Sequence, residues 1–365
     1  MYSKKEKIIM WLSTFEFMSY KKAYSFIEIF EENLEDVFDN LRNYKNTLVK
    51  IFEHVEYNEL ILNNNLVEIE RIIKEYEKLN IKVITIISDN YPELLKEINS
   101  PPIMLYCLGN IELLNSDCLG VVGTRRATKY GKDICSKFIS DIATEEITIV
   151  SGLADGIDSS AHKSCLEVKG KTIAVLAGGV LNIYPSTNTT LAKNIVENDG
   201  LLVSEYKPSE QSLTYHFPIR NRIIAGLSKG VLIVEATEKS GSMHTKNFAL
   251  DYNREVFAIP GRVNDIYSDG CNKIIANGQA RMVLKSSDII EFFGKDLKSK
   301  KETNTIQLTC EEQLVYSLLV GHEMHFDELL KNSNMKTGAL STVLMRLEIK
   351  GIINKLPGNY YTLVI

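Results

Sequence analysis

The residues of this sequence that could bind or transform a ligand lie in short loops that follow apolar, β-rich runs. These loops contain glycine, serine, asparagine, arginine and lysine, whose backbone amides and side chains are good donors to phosphate oxygens. The candidate ligand-binding residues are Arg125, Arg126, Ser151, Gly152, Arg220, Asn221, Arg222, Lys239 and Ser240. Residues 217–230 contain no carboxylate, so the two arginines of that run are predicted to bind phosphate groups.

Known sequence fingerprints exclude several kinds of site. Residues 123–131, GTRRATKYG, match neither GxGxxG nor GxxxxGK[ST], which excludes the usual dinucleotide and nucleoside-triphosphate loops. Thr128 is predicted to cap the helix that follows, whose N-terminus then favours an anion. Ser151 lacks the glycine that a nucleophile elbow needs two residues earlier, so no nucleophile is predicted there. We interpret His162 and Cys165, which share a helix face, as buried packing residues rather than a catalytic pair.

The β-rich runs alternate with amphipathic segments between residues 66 and 293. The runs lie at 82–87, 119–123, 147–150, 172–179, 201–205, 231–236 and 255–261. Short apolar runs separated by helices predict a parallel sheet covered on both faces, which is an α/β, Rossmann-like, doubly wound domain. In such a domain the loops at the carboxyl ends of the strands border one crevice. Several phosphate-binding loops along one crevice suit a polyanion, whereas a single nucleotide needs only one.

The segments on either side of this domain have different patterns. Residues 1–65 have helical periodicity and are predicted to form a small, all-helical, SAM-like domain. The polar, lysine-rich stretch 294–309 is predicted to be a linker. Residues 310–365 predict three helices and a hairpin, the layout of a winged-helix domain. Its presumed recognition helix, 336–350, has only a weak basic face, so DNA binding and protein docking both stay open for this domain.

Composition limits the class of protein. The 365-residue chain has 42 basic and 47 acidic residues, a formal net charge of −5. Such a charge repels nucleic acid and anionic membranes, so any anion site must be a local cluster of cations. The six cysteines form no CxxC pair, which is typical of reduced thiols in the cytoplasm and not of a zinc site. No run approaches the roughly 18 apolar residues of a membrane span. We therefore predict a cytoplasmic protein with no membrane partner, metal or cofactor.

Four segments resemble the DprA/Smf family of DNA-processing proteins. They are VVGTRRATKYG, VSGLADGIDSSAH, LAGGVLNIYPSTN and FPIRNRIIAGLSKGVLIVEATEKSGSMHT, and the resemblance covers about residues 85–280. It implies a non-enzymatic protein of natural transformation that binds single-stranded DNA, protects incoming DNA and helps load the RecA recombinase. It also implies a homodimer formed through the Rossmann-like domain.

The resemblance also implies which residues bind DNA. The positions that match the family's GSRR, SGLA, RNR and KSG motifs are, in that order, Arg125 and Arg126, Ser151 and Gly152, Asn221 and Arg222, and Lys239 and Ser240. Three positions depart from the family pattern: His216 replaces asparagine, Asp155 replaces a neutral or basic residue, and His244 replaces an aliphatic residue. These departures predict weaker or pH-sensitive DNA binding, because histidine titrates near neutrality.

Two other interpretations stay open. The chain could be a nucleotide hydrolase similar to the nucleoside-monophosphate phosphoribohydrolases, which also have a Gly-Gly loop at a strand end. Their PGGxGTxxE segment is incomplete here, and Glu235 and Glu238 are the nearby candidates for a catalytic base. Alternatively, the winged helix reads DNA and the Rossmann-like domain is a scaffold. A fold alone does not choose between these functions.

Overall fold

The computed structural model of the protein describes residues 2–295 and 308–363. The chain divides into two compact units, Met1–Asp296 and Leu297–Ile365. Most of the predicted linker, 294–309, lies outside the described residues. Within the described ranges, no helix combines the length and the apolar character that crossing a membrane requires.

A nine-stranded sheet forms the centre of the first unit. Its strands are β1 (Ile81–Thr85), β2 (Met104–Gly109), β3 (Cys118–Val122), β4 (Thr148–Ser151), β5 (Thr172–Val175), β6 (Leu201–Ser204), β7 (Gly230–Ile233), β8 (Glu255–Ala258) and β9 (Arg281–Met282). Their order is β1-β2-β6-β5-β4-β3-β7-β8-β9. The strands from β6 to β9 in this order are parallel, and only β1 and β2 are antiparallel to their neighbours. The predicted Rossmann-like, mostly parallel sheet is confirmed.

Helices surround this sheet. They are α1 (Lys4–Leu12), α2 (Tyr20–Phe30), α3 (Leu34–Asp39), α4 (Lys45–Leu48), α5 (His54–Leu62), α6 (Val67–Lys78), α7 (Glu93–Lys96), α8 (Lys129–Ala143), α9 (Ile157–Glu167), α10 (Thr189–Glu197), α11 (His216–Leu227), α12 (Ser242–Asp251), α13 (Asp269–Ala276) and α14 (Ser287–Phe292). Trp11 and Phe26 of the N-terminal helices belong to the same hydrophobic cluster as Leu105 and Val203 of the sheet. The segment predicted as an N-terminal domain, 1–65, therefore lies in the same compact unit as the sheet.

Burial on both faces explains why the strands read as continuous apolar runs. Every residue of β3 to β7 is buried. On one face, Phe138 and Ile142 of α8 pack in a cluster with Leu119 and Val121 of β3. Because β3, β4, β5, β6 and β7 run parallel, the loops that follow them all leave the sheet at the same edge. We call this edge, with the loops that follow these strands, the rim.

The second unit is a small winged-helix fold. Its elements are α15 (Cys310–Leu318), β10 (Met324–His325), α16 (Phe326–Ser333), α17 (Thr337–Ile349), β11 (Ile353–Leu356) and β12 (Tyr360–Leu363). The three strands are antiparallel in the order β10-β12-β11. Gly358 and Asn359 have positive φ angles in the turn between β11 and β12, as a tight hairpin requires. The predicted three helices and hairpin are confirmed, and the short strand β10 was not predicted.

Candidate nucleic-acid interface

A cavity of about 490 Å³ opens at the rim. The loops after β3, β4, β5 and β7 and the first turns of α11 and α12 surround it. Its polar and aromatic lining includes Arg125, Asp158, Tyr184, Phe217, Arg220, Asn221, Ser240 and His244. We call it the first cavity. It brings together candidate residues that lie far apart in the sequence, as the parallel topology predicts.

Arg125 combines positive charge with an aromatic surface at the mouth of the first cavity. Its side chain is exposed, and its guanidinium carbon lies 5.1 Å from the centre of the Phe217 ring. Phe217 meets Tyr184 edge to face at 5.5 Å, and Tyr184 is 54% exposed. Within residues 2–295, Arg125 forms no ion pair with a carboxylate. A cation and two aromatic rings are therefore available together to a ligand.

Arg220 forms the floor of the first cavity. The side chain is only 4% exposed, and its guanidinium donates hydrogen bonds to the backbone carbonyls of Gly152, at 2.9 Å, and Val175. A Cβ atom at position 152 would lie 2.4 Å from Nη2 of Arg220, so this close approach requires glycine. Burial lowers the pKa of Arg220 to about 10, so it stays positively charged at neutral pH. Arg220 thus joins two strand ends and places a fixed charge under the cavity.

Asp158 is the buried carboxylate beside Arg220. It accepts hydrogen bonds from the backbone amides of Gly152, at 3.1 Å, and Ala154, at 3.4 Å. Burial raises the pKa of Asp158 above its usual range, and the charge of Arg220 opposes that shift. Through these two bonds Asp158 fixes the loop after β4. The N-cap residue of α9 is Gly156.

Arg222 lies in the same helix as Arg220 but does not line the first cavity. The side chain is 8% exposed, and its Nη2 atom forms an ion pair with Oε2 of Glu205 at 2.5 Å. Burial raises the pKa of Glu205, and the attraction of Arg222 opposes that shift. Although residues 217–230 contain no carboxylate, Arg222 therefore has a carboxylate partner, which comes from the loop after β6.

The remaining candidates differ in what they present at the rim. The hydroxyl of Ser151 is buried and donates to the carbonyl of Val121 at 2.7 Å, so it is turned into the sheet. Ser240 and Asn221 line the first cavity. Lys239, next to Ser240, is exposed and forms no ion pair within the described residues. Lys239 is therefore available to a ligand next to the cavity.

The N-terminus of α8 carries its own anion. Thr128 caps the helix as predicted, since its hydroxyl accepts a hydrogen bond from the amide of Gly131 at 3.0 Å. The carboxylate of Glu235 accepts from the backbone amide of Thr128 at 2.9 Å and from its hydroxyl at 2.5 Å. Glu235 is buried, so it already occupies the position that the sequence assigned to a ligand anion.

A second cavity, of about 610 Å³, lies beside the first. Arg125 lines both cavities, and Arg126 lines only the second. Lys132 of α8, Lys163 of α9 and Asp155 complete its charged lining. Neither lysine stands out in the sequence, because an exposed lysine on an amphipathic helix is ordinarily just solvated.

The three departures from the family pattern occupy different environments. His216 is buried, with its ring stacked at 4.0 Å on Tyr206 and Nδ1 3.1 Å from the carbonyl of Ala177. His244 is exposed and lines the first cavity, whereas Asp155 is exposed in the second. His162 and Cys165 are both fully buried, as predicted.

Family models and known proteins match most of this chain. Residues 82–294 match the family model described as DNA recombination-mediator protein A, and residues 299–359 match the DprA winged helix domain. The DNA processing protein DprA of Bacillus subtilis is 42% identical over 225 residues, which cover 61% of this chain and 75% of that protein. Protein Smf of Escherichia coli is 38% identical over 295 residues, which cover 79% of each chain.

Two solved structures are also similar. DprA from Streptococcus pneumoniae has a TM-score of 0.68 at 34% identity, covering 78% of this chain and 97% of that one. DprA from Helicobacter pylori, whose structure concerns its single-stranded DNA binding mode, has a TM-score of 0.54 at 32% identity. That match covers 60% of this chain and 97% of the other.

Proposed function

The chain belongs to the DprA/Smf family of DNA-processing proteins, and we propose that it binds single-stranded DNA at the first cavity without catalysing a reaction. In this function it protects incoming DNA and helps load the RecA recombinase during natural transformation. The DNA-binding part of the proposal rests on Arg125. Within the described residues it forms no ion pair, and it lies over Phe217 beside the exposed ring of Tyr184. Single-stranded DNA binding uses the same combination of backbone cations and aromatic stacking surfaces.

The contacts of the rim divide into two kinds. Arg125, Arg126 and Lys239 are exposed cations that reach phosphate groups, and Asn221 and Ser240 add neutral donors. Tyr184 and Phe217 stack bases, an interaction that tolerates any sequence because every base has an aromatic face. Arg220, Gly152 and Ser151 are buried and support these contacts from below. Arg220 and Ser151 donate to backbone carbonyls of neighbouring strands or loops, and the amide of Gly152 donates to the carboxylate of Asp158.

The contacts of the candidate bases support a non-enzymatic function. Both carboxylates that could serve a nucleotide hydrolase already have partners. Glu235 binds the first turn of α8 through Thr128, and Glu238 forms an ion pair with Lys273 at 2.7 Å. The enzyme interpretation predicts that ribose phosphate is released from AMP, and we expect none.

The finer parts of the proposal rest on the resemblance to the family. These parts are the formation of a homodimer through the Rossmann-like domain and the binding of RecA. A cytoplasmic location accords with the six cysteines, all of which are unpaired thiols. Light scattering tests the dimer, and strand exchange by RecA on DNA coated with a single-strand binding protein tests recombinase loading.

The decisive experiment measures DNA binding directly. Fluorescence anisotropy of a labelled oligonucleotide is followed in single-stranded and double-stranded form across a salt series. We expect tight binding of the single strand only. With the three exposed cations named above, log affinity should fall with log salt with a slope of about −2, at about 0.7 per phosphate contact. Equal binding of both forms, or a slope near zero, would contradict the proposal.

A further inference from the structure

The second cavity is a concentration of positive charge in an acidic protein. Arg125 and Arg126 come from the loop after β3, Lys132 from the first turn of α8, and Lys163 from the middle of α9. Within residues 2–295 and 308–363, none of these four side chains forms an ion pair with a carboxylate. With Asp155 as the single carboxylate among the described lining residues, the cavity has an excess of positive charge that an anionic ligand would neutralise.

The cavity is held in shape by contacts between its loops. The amide of Ile157 donates to the carbonyl of Thr124 at 3.2 Å, which ties the start of α9 to the loop after β3. Gly156 has a φ of +82°, and a Cβ atom there would lie 2.2 Å from the carbonyl oxygen of Thr124. On the other side, Asn188 donates to the carbonyl of Leu153 at 2.9 Å. The site is therefore organised before any ligand binds.

The chemistry of the lining indicates what kind of group binds. None of the described residues that line the second cavity is aromatic, whereas the first cavity contains Tyr184 and Phe217. A base has no stacking surface in the second cavity. Phosphate groups, by contrast, would meet guanidinium and ammonium donors together with the side chains of Ser160 and Thr187.

From this arrangement we propose that the second cavity binds the sugar-phosphate backbone of the DNA strand whose bases occupy the first cavity. The proposal rests on the proposed function and extends the DNA path to Lys132 and Lys163. Arg125 is the point of continuity, because it lines both cavities and can contact the phosphate between them. In this arrangement the bases stack in the first cavity, and the phosphates are neutralised in the second.

Asp155 provides a contrast of opposite sign within the same cavity. Its carboxylate is exposed and accepts a hydrogen bond from the hydroxyl of Thr187 at 3.3 Å. A negative charge on the path of the phosphates weakens binding. Removing it should therefore strengthen binding of any strand that is long enough to reach the second cavity.

The test compares two lengths of oligodeoxythymidylate, chosen from the range of roughly 4 to 16 nucleotides that one OB-fold covers on a single strand. We expect a strand of about 4 nucleotides to occupy the first cavity and one of about 16 nucleotides to extend into the second. The test variants are Lys132→Glu/Lys163→Glu and Asp155→Asn. The matched control is Lys74→Glu/Lys137→Glu, which makes the same change in charge at two exposed lysines that line neither cavity.

We expect the Lys132→Glu/Lys163→Glu variant to bind the long strand about tenfold more weakly, with little change for the short strand. Its salt slope for the long strand should become shallower by about 1.4, since two phosphate contacts are lost. Asp155→Asn should bind the long strand about two- to threefold more tightly and the short strand as before. The control should match the unmodified protein at both lengths.

Three results would overturn this inference. If the double lysine variant binds both lengths normally, the strand does not pass through the second cavity, although the proposed function stands. If its affinity for both lengths falls equally and Asp155→Asn changes the affinity for neither, the effect is not local to the cavity. If dAMP binds there and the long strand does not displace it, the ligand is a free nucleotide. Absence of binding of either strand by the unmodified protein would instead refute the proposed function itself.

Discussion

The rim of the first unit and helix α17 of the second both carry basic residues, but they differ in what those residues already contact. At the rim, Arg125 and Lys239 are exposed and, within the described residues, form no ion pair. At the end of α17, Lys350 is bound at 2.7 Å to Glu312, which is itself buried. The availability of a cation, rather than its presence in the sequence, therefore indicates a phosphate site.

The neighbours of the cations differ as well. Arg125 lies over an aromatic ring at the mouth of a cavity. On α17, the exposed apolar neighbours of Arg346 are Met345, which is 63% exposed, and Ile349, which is 76% exposed. An exposed pair of apolar residues one turn apart is more typical of a protein-binding surface than of a phosphate-binding one.

Replacing Arg222 by methionine should destabilise the protein strongly while leaving DNA affinity nearly unchanged. Arg222 is paired inside the protein, and its removal leaves the carboxylate of Glu205, whose Oε1 atom is buried, without a counter-charge. Breaking such a buried pair costs about 3–5 kcal/mol in the free energy of unfolding. Urea denaturation measures the loss. The double variant Glu205→Leu/Arg222→Met should recover most of it, because neither charge then stays buried alone.

Unchanged stability of the Arg222→Met variant, together with a large loss of DNA affinity, would contradict this assignment. It would show that Arg222 leaves Glu205 and reaches the DNA. In that case a paired cation could still be a phosphate ligand, and the distinction drawn between the rim and α17 would fail.

Reversing the charges of Arg125 and Lys239 should lower DNA affinity strongly while leaving the stability of the protein nearly unchanged. Both side chains are exposed, so Arg125→Glu/Lys239→Glu should fold with normal stability. Two charge-assisted contacts of about 1.5–3 kcal/mol each are lost, which predicts an affinity for single-stranded DNA about a hundredfold lower or worse. Anisotropy at low salt measures it, with Lys74→Glu/Lys137→Glu as the control. Normal binding by the folded double variant would exclude the first cavity as the DNA site.

The exposed aromatic ring should contribute less than the two cations. Tyr184→Ala removes a stacking surface and should weaken single-strand binding about tenfold, since stacking contributes about 1–3 kcal/mol per base. Tyr184→Phe keeps the ring and should bind like the unmodified protein. If both substitutions weaken binding equally, the hydroxyl group rather than the ring is the contact, and the division into stacking and phosphate contacts is wrong.

The sequence predicted the rim because strand ends are visible in it. Apolar runs locate the strands, and parallel topology then brings Arg125, Asn221 and Ser240 together without any knowledge of distances. Thr128 was also predictable as a helix cap, because capping depends on residues that are close in the sequence. That an internal carboxylate, Glu235, completes this cap was not predictable, because the contact joins residues 107 positions apart.

Features that depend on tertiary contacts could not be predicted from the sequence. Glu205 pairs with Arg222 across 17 positions, so the absence of a local carboxylate was no guide to the charge balance. Strand β2, which pairs antiparallel with β1 and β6, was not among the predicted β-rich runs. Lys132 and Lys163 became candidates only when the fold brought two helices to one cavity.

The smallest effect is expected on α17. Lys336→Glu/Arg346→Glu should change single-strand affinity by less than about twofold, because exposed charges without ordered partners contribute little. These two cations lie ten positions apart on the helix, and the paired Lys350 adds no available charge. Anisotropy with the same oligonucleotide measures the effect beside Arg125→Glu/Lys239→Glu, which makes an equal change in charge. A comparable loss in both variants would mean that the winged helix also reads DNA. A loss confined to the rim variant would show that the charge on that helix has no measurable part in DNA binding.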